Sequence, residues 1–104
     1  MQLAIAVYGL TKDFPREELY GLTSHIRRAA VSVPSNIAEG QGRMNLGEFK
    51  QFLGISRGSN CELQTQLEIA SALGFGNPGL LREASGLSQE VGKMIYAFLE
   101  SLKD

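Results

Sequence analysis

Residues 77–103, NPGLLREASGLSQEVGKMIYAFLESLK, decide the fold of this chain. The stretch begins with Asn77 and Pro78, which suit the N-cap and the first position of a helix. Its apolar residues recur at spacings of three and four and form one long stripe: Leu80, Leu81, Ala84, Leu87, Val91, Met94, Ile95, Phe98 and Leu102. A stripe of this period is typical of an amphipathic helix that buries one face against other helices. We therefore predict a helix over residues 77–103.

Three further helical stretches precede it, and each is ended by glycine or proline. The predicted helices span residues 1–12, 22–40 and 45–73, with a short helical turn over residues 16–19. No stretch alternates between apolar and polar residues as a strand does, and no Asn-Gly or Asp-Gly hairpin turn occurs. The pattern predicts an all-α protein: a single domain over the whole chain, folded as an antiparallel up-down-up-down four-helix bundle.

The stretch 45–73 carries apolar side chains on two sides of the predicted helix. At about 100° per residue, a first arc holds Phe49, Phe52, Leu53, Ser56, Asn60, Leu63, Leu67 and Ala70. A second arc holds Ile55, Ile69 and Leu73. A small bundle has few helices to cover both arcs. We therefore expect the first arc to face the core and part of the second to face a neighbouring subunit.

Two features inside the predicted helices affect their shape and packing. Pro34 lies within the stretch 22–40, where a missing backbone donor and a clash with the preceding turn predict a kink. Gly54 and Gly58 form a small-xxx-small pair in the stretch 45–73. Such a pair lowers helix propensity, so it predicts a close approach by another helix.

Composition disfavours several classes of protein. Apolar residues make up 43% of the chain and charged residues 20%, which is typical of a globular protein. Ten Lys and Arg against eleven Asp and Glu give a formal charge of −1, which disfavours a wholly basic polyanion binder. With one Cys and one His, the chain has no internal disulfide, zinc cluster or di-iron motif. Without a membrane-length apolar run or a signal peptide, we predict a cytoplasmic protein with no metal, cofactor or membrane partner.

Catalysis finds little support in the sequence. His25 stands beside Ser24, but no Gly-x-Ser-x-Gly motif places a serine on a strand-to-helix turn. No pair of carboxylates has the spacing of an acid–base dyad. Residues 40–43, GQGR, lack the longer spacing and the Lys-Ser/Thr of a phosphate loop. We predict no enzyme activity and assign no catalytic residue.

Five basic residues are the candidate nucleic-acid contacts: Arg27, Arg28, Arg43, Lys50 and Arg57. If they align across the second and third long helices, or repeat around an oligomer, they form a basic surface for phosphates. Aromatic residues are not interleaved with them. The alternative, a solvated face with local ion pairs, therefore stays open.

Five other polar residues are candidates for a structural network: Ser35, Asn36, Glu39, Glu62 and Gln66. Under this alternative they form hydrogen bonds within or between subunits, because buried polar groups need partners. The protein is then a purely structural, self-assembling one with no nucleic-acid role, or an adaptor for a protein partner.

The residues also carry a resemblance to a known family. It begins at Phe14-Pro15, Glu18 and residues 20–43, YGLTSHIRRAAVSVPSNIAEGQGR, of which the block Ile26–Arg43 is long and specific. The likeness continues at Glu48-Phe49, Phe52-Leu53, Gly58-Ser59, Glu62-Leu63, Thr65-Gln66-Leu67, Ala70 and Leu73-Gly74-Phe75. On these residues the chain resembles the four-helix-bundle family named for open reading frames in intervening sequences of bacterial 23S ribosomal RNA.

The resemblance implies a four-helix bundle that assembles as a homo-oligomer, with a pentameric ring as the associated form and no enzyme activity. It also implies kinship with accessory proteins of diversity-generating retroelements, which work with a reverse transcriptase and RNA and look more basic. Members of the family usually carry another turn or more before the position of Met1. The first predicted helix begins without an N-cap, so we expect a truncated start that leaves part of the core uncovered.

Together, these patterns predict a non-enzymatic, homo-oligomeric scaffold or adaptor. RNA is its candidate partner, through a basic face on the second and third long helices.

Overall fold

The computed structural model describes residues 1–103 and consists of helices joined by short loops. The helices are α1 (Gln2–Thr11), α2 (Leu22–Gly42), α3 (Leu46–Leu73) and α4 (Pro78–Ser101), with a 3-10 turn at Arg16–Glu18. Within residues 1–103 there is no strand. The all-α prediction is confirmed, and each helix begins and ends within two residues of its predicted bounds.

Asparagine side chains fix the starts of α3 and α4. The Oδ1 atom of Asn45 accepts a hydrogen bond from the backbone of Glu48 at 3.0 Å. The Oδ1 atom of Asn77 accepts from the backbones of Gly79 at 2.8 Å and Leu80 at 3.1 Å. These bonds satisfy backbone donors that the first turn of a helix leaves free. The N-cap predicted at Asn77 is therefore confirmed.

The four helices pack in the order of the chain. α2 contacts α1 and α3, α3 contacts α4, and α1 contacts α4 to close the bundle. The Oγ atoms of Ser32 and Ser59, on α2 and α3, lie 2.9 Å apart, and Ser56 Oγ donates to the Val33 carbonyl at 2.8 Å. Later positions on α2 face earlier positions on α3, so these neighbours are antiparallel. The predicted four-helix bundle is confirmed.

The core is a continuous column of apolar side chains between the helices. Its buried members are Leu3, Val7, Leu10, Phe14, Ile26, Ala29, Ala30, Val33, Leu63, Leu67, Ala70, Ala84 and Ile95. Each fully buried leucine or isoleucine side chain stabilises the fold by about 1.5–3 kcal/mol. Ile37, one turn beyond Val33 on α2, is only half-buried, because it lines an apolar groove between the helices.

The length of α1 divides the bundle into two halves. α1 has 10 residues and α3 has 28, so α1 is about 15 Å long beside a neighbour of about 42 Å. We call the part covered by α1 the four-helix half. Beyond Met1, residues 34–42, 46–55 and 94–101 form the three-helix half. There an apolar groove of about 260 Å³ opens between the helices, lined by Leu3, Ile37, Phe49, Leu53, Met94 and Phe98 among others.

Gly40 brings α2 close to α3 at a position that the sequence did not indicate. A Cβ atom at Gly40 would lie 2.9 Å from the Cβ of Phe52 and 3.0 Å from the ring of Phe49. At Gly54 and Gly58, a Cβ atom would meet nothing within 4 Å. Within one chain, the predicted close approach at Gly54 and Gly58 is therefore wrong, because both face outward from α3.

Candidate functional site

Arg27 and Arg28 lie near the start of α2, at its seam with α1. The Nε atom of Arg27 donates to Thr11 Oγ1 at 2.8 Å, and its guanidinium lies 4.7 Å from the ring centroid of Tyr8. Thr11 is itself held by the carbonyl of Val7 at 2.8 Å. These contacts hold the guanidinium in one place, while Arg28 is exposed. Neither arginine has a carboxylate within 4 Å among residues 1–103.

Arg43 follows the opposite end of α2. Its Nη2 atom donates to Oε1 of Glu39 at 2.9 Å, in an exposed ion pair one helical turn apart. Its guanidinium also lies 5.2 Å from the ring centroid of Phe52. The sixteen positions from Arg27 to Arg43 amount to about 24 Å along a helix. The charge of Arg43 is therefore paired and lies far from Arg27.

Lys50 and Arg57 lie two turns apart on one stripe of α3. The Arg57 guanidinium lies 5.8 Å from the ring centroid of Tyr96 on α4. The charge of Arg57 also acts on Glu100 of α4. A hydrogen bond from Lys103 is the main cause that lowers the pKa of Glu100, and the charge of Arg57 lowers this pKa by a smaller amount. Arg57 thus lies at the seam between α3 and α4, within electrostatic reach of a carboxylate.

The five predicted basic residues therefore form three separate groups in one chain. They occupy the α1–α2 seam, the end of α2, and the α4 side of α3. The α1–α2 and α3–α4 seams lie on opposite sides of the bundle. A continuous basic surface would need more than one copy of the chain, and the predicted nucleic-acid contact stays a prediction.

Part of the predicted polar network joins α2 to α3. Asn36 Nδ2 donates to both the carbonyl and the Oγ atom of Ser32 at 2.8 Å each. Ser32 Oγ lies 2.9 Å from Ser59 Oγ across the seam. Ser35 is exposed on α2, and no side-chain hydrogen bond to it is present within residues 1–103. The link between the helices thus runs through Ser32 and Ser59, which the sequence did not single out.

The other members of that network form separate pairs. Glu39 is engaged with Arg43, and Glu62 Oε1 accepts from Gln66 Nε2 at 3.0 Å. The Oε1 atom of Gln66 is buried without a hydrogen-bond partner among residues 1–103. A connected network of all five residues is not present in one chain, and its extension between subunits stays a prediction.

The start of α2 holds polar groups that the sequence did not reveal. Thr23 is 3% exposed, and its Oγ1 atom has no hydrogen-bond partner in the described part of the chain. Thr23 shares a surface cleft with Tyr8, Tyr20, Ser24, Arg27 and Arg28. Of these, only the two arginines were predicted. Tyr8 and Tyr20 belong to separate stretches of sequence, so no local spacing marked them.

In residues 1–103, no group of three or more His, Cys, Asp or Glu side chains lies close enough to hold a metal ion. His25 and Cys61 are exposed, on separate helices. None of the helices in this part of the chain is both long and apolar enough to cross a membrane.

Comparison with known proteins identifies similar sequences and folds. The model of a family described as 23S rRNA-intervening sequence protein matches residues 1–97. The chain is also similar to a crystal structure described as a protein with unknown function from the S23 ribosomal protein family of Bacteroides thetaiotaomicron. That match has a TM-score of 0.85 and 19% sequence identity, over 94% of this chain and 92% of that chain. At this identity the likeness concerns the fold alone. No curated protein matches the chain.

Proposed function

This chain belongs to the 23S rRNA-intervening sequence protein family, and from that premise we propose that it is a non-enzymatic scaffold that assembles with copies of itself. The observation that carries the proposal is the outward face of α3. Ile55 and Ile69 are 46% and 44% exposed there, and Leu73 is 58% exposed. This is the second apolar arc of the helix, and no other helix of the same chain covers it.

Small residues on the same face support packing against another helix. Gly54 and Gly58 point outward into open space within one chain. Glycines in a helix are unfavourable unless they have a role in packing. A second copy of the chain, laid along this face, would bury the exposed isoleucines and bring backbone close to both glycines.

The buried amide of Gln66 supports the same interface. Its Oε1 atom lacks a partner among residues 1–103, and Gln66 lies on α3 between the core arc and the second apolar arc. A donor from a neighbouring copy would satisfy it, since buried polar groups rarely stay unpaired. We propose that hydrogen bonds between copies complete the polar network of Ser35, Asn36, Glu39, Glu62 and Gln66.

A pentamer is the assembly that the resemblance implies, and we adopt it as the expected subunit number. Sedimentation equilibrium or light scattering of the full chain should then give five times the 11.3 kDa mass of one chain.

The lone Cys61 fits a reducing compartment, so we propose that the assembly is cytoplasmic. We also propose that the chain is related to the accessory proteins of diversity-generating retroelements, as the resemblance implies.

Gly58→Leu tests the interface directly. Within one chain the site is open, and leucine has the higher helix propensity, so the fold should be kept or slightly stabilised. Between copies, the larger side chain should block close approach and reduce the measured mass toward that of one chain. Circular dichroism of the same samples checks that helix content is unchanged.

Gly86→Leu is the matched control. Gly86 lies in α4, and a Cβ atom there also meets nothing within 4 Å. This variant should keep the wild-type mass. A monomeric wild-type protein would refute the scaffold proposal, and an unchanged mass in Gly58→Leu would remove α3 from the interface.

We further propose that the assembly contacts RNA through Arg27, Arg28, Arg43, Lys50 and Arg57. Within residues 1–103, Arg43 is the one member of the set whose charge is paired with a carboxylate. In an oligomer, the basic residues of one chain would lie beside those of the next chain, although they form three separate groups within a single chain. The unpaired charges support a surface that binds phosphates.

Fluorescence anisotropy with a single-stranded RNA tests this contact. Affinity should fall steeply between about 50 and 200 mM salt, because phosphate contacts release counterions. Replacing Lys50 and Arg57 by Glu should abolish binding without a change in helix content. Salt-insensitive binding, or none at low salt by an intact oligomer, would leave the scaffold without an RNA role.

A further inference from the structure

A cleft of about 400 Å³ lies where the end of α1, the 3-10 turn and the start of α2 meet. Its lining includes Tyr8, Tyr20, Thr23, Ser24, Arg27 and Arg28. Two arginines, a threonine, a serine and two tyrosines thus line one cleft. No other part of the described chain brings this combination of side chains together.

Arg27 is prepared to bind an anion. Its Nε atom is bonded to Thr11 and one face of its guanidinium covers Tyr8, so little side-chain freedom remains to be lost. The two terminal nitrogens have no hydrogen bond to another described residue. A planar guanidinium with free terminal nitrogens matches a phosphate group. Arg28, the next residue, is exposed at the same cleft.

The hydroxyl of Thr23, which lacks a hydrogen-bond partner, is an independent indication that a ligand binds in the cleft. The residue is 97% buried, it lines the cleft, and its Oγ1 atom has no hydrogen-bond partner among residues 1–103. A buried hydroxyl without a partner is unfavourable and therefore uncommon in folded proteins. Ser24 adds a second hydroxyl at the same cleft. A phosphate oxygen in the cleft would accept a hydrogen bond from Ser24, and one from Thr23 after a change of rotamer that turns its buried Oγ1 atom toward the cleft.

Tyr20 distinguishes a nucleotide from a simple anion. It is 92% exposed, and it borders the cleft that contains the arginines. An exposed ring beside a basic group is the arrangement on which nucleobases stack. Exposure of this degree has no evident value for folding, because the ring buries almost no apolar surface.

We propose that this cleft binds a nucleotide, with its phosphate on Arg27, Arg28, Thr23 and Ser24 and its base stacked on Tyr20. The nucleotide is either free or part of an RNA strand. The inference deepens the RNA contact proposed above and rests on it only for the strand, since a free nucleotide needs no oligomer and neither Lys50 nor Arg57.

Glu18 is the carboxylate that opposes an anion here. Its Oε1 atom accepts a hydrogen bond from the backbone of Leu22 at 3.4 Å, at the first turn of α2. Gly21 at the N-cap offers no side chain to that turn. The phosphate is therefore expected on the arginine side of the cleft, and Glu18→Gln should strengthen binding.

Nuclear magnetic resonance titration of the full chain tests the cleft, with uridine monophosphate, uridine and inorganic phosphate as separate probes. Uridine monophosphate should shift the backbone signals of Tyr20, Ser24 and Arg28 and bind more tightly than either of the other probes. Uridine that binds as tightly as the monophosphate would overturn the phosphate contact, and the absence of shifts at millimolar nucleotide would overturn the free-nucleotide site.

Three variants probe the contacts. Arg28→Ala should weaken binding about tenfold or more, as for loss of a charged hydrogen bond. Tyr20→Ala should weaken it at least about fivefold through loss of stacking. Thr23→Val keeps the shape and removes a hydroxyl that makes no bond in the free protein. It should leave stability unchanged or raised, yet weaken binding several-fold. Arg82→Ala and Tyr96→Ala, at exposed residues outside the cleft, are the matched controls.

A single-stranded RNA of uridines separates the two sources of nucleotide. Loss of RNA binding in Arg28→Ala and Tyr20→Ala supports the cleft as a site for a strand, and binding of the monophosphate alone supports a free nucleotide. The double variant Lys50→Glu, Arg57→Glu separates failure of the cleft from failure of the RNA contact. Suppose that this variant loses RNA binding, the cleft variants keep it, and the monophosphate does not bind. The cleft is then refuted, and the RNA contact stands.

Discussion

The two halves of the bundle show what one short helix does to a core. In the four-helix half, α1 closes the bundle, and Val7, Leu10 and Leu63 are fully buried. In the three-helix half, the same three long helices continue without a fourth. Met94 and Phe98 are then 65% and 50% exposed along the groove. In the three-helix half the apolar stripe of α4 is therefore only partly covered: Ile95 stays buried at 2% exposure, whereas Met94 and Phe98 are exposed.

This difference shows that amphipathic periodicity reports which side of a helix is apolar and not whether that side is covered. The stripe from Leu80 to Leu102 is continuous in sequence, but beyond the start of α1 only part of it is covered, and Met94 and Phe98 are exposed. The free energy lost on truncating an apolar side chain should therefore depend on whether other helices cover it, and not on its place in the periodic pattern. Matched substitutions in the two halves test this difference.

The largest contrast is expected between Leu63→Ala and Leu53→Ala. Both leucines lie on α3 and are at most 2% exposed, but Leu53 borders the groove. Removing Leu63 should leave a cavity that four helices cannot close, at a cost of about 4 kcal/mol. Removing Leu53 should cost about 2 kcal/mol, because the open side lets neighbours move in.

Urea denaturation of both variants at one protein concentration measures these costs. Equal losses would mean that the groove gives Leu53 no freedom to relax, and the two halves would then be energetically alike.

Glycine substitutions sharpen the comparison at a smaller scale. A Cβ atom at Gly76 would lie 2.7 Å from Leu10 Cδ1 and 2.9 Å from Phe14 Cε1, in a backbone of φ +79°. Gly76→Ala should destabilise the four-helix half by about 2–3 kcal/mol, through strain and overpacking. Gly40→Ala, in the three-helix half, should cost about 1 kcal/mol, because improved helix propensity offsets part of the clash with Phe52.

Thermal unfolding of these two variants gives the ranking. A greater loss for Gly40→Ala would show that the α2–α3 contact in the three-helix half is the tighter of the two.

The smallest effect is expected at Met44. This residue joins α2 to α3 with φ 57° and is 94% exposed, so it is strained and contributes little packing. Met44→Gly should stabilise the protein by up to about 1 kcal/mol, since glycine adopts this conformation freely. Met44→Ala keeps the strain and serves as the control in the same denaturation experiment. A gain in the alanine variant would place the benefit in the lost side chain instead.

The sequence predicted the helices well because periodicity and caps are local signals. The helix α4 and the N-cap at Asn77 are both confirmed. Gly54 and Gly58 misled the prediction within the chain, because a small-residue pair does not tell which neighbour it faces. Gly40 makes the observed close approach, although its place at the end of a periodic stretch predicts only the end of a helix.

The candidate site was less predictable for a different reason. The cleft at Tyr20 and Thr23 depends on how the 3-10 turn folds back on α1, which no spacing in the sequence encodes. The Thr23 hydroxyl lacks a hydrogen-bond partner because of how the surrounding segments pack around it, and this packing cannot be predicted from neighbouring residues in the sequence. The basic residues were identified by type, but their division among opposite seams required the packing order of the helices.

The hydrogen bonds between Asn60 and Ser88 fix how α3 and α4 slide along each other. Asn60 Nδ2 donates to the Ser88 carbonyl at 2.9 Å, and Ser88 Oγ donates to Asn60 Oδ1 at 2.8 Å, both fully inside the bundle. Leucines and isoleucines would tolerate a shift by one turn of about 5.4 Å. The amide and the hydroxyl would not, because each would lose its partner in an apolar interior. One polar pair thus gives two long helices a single register.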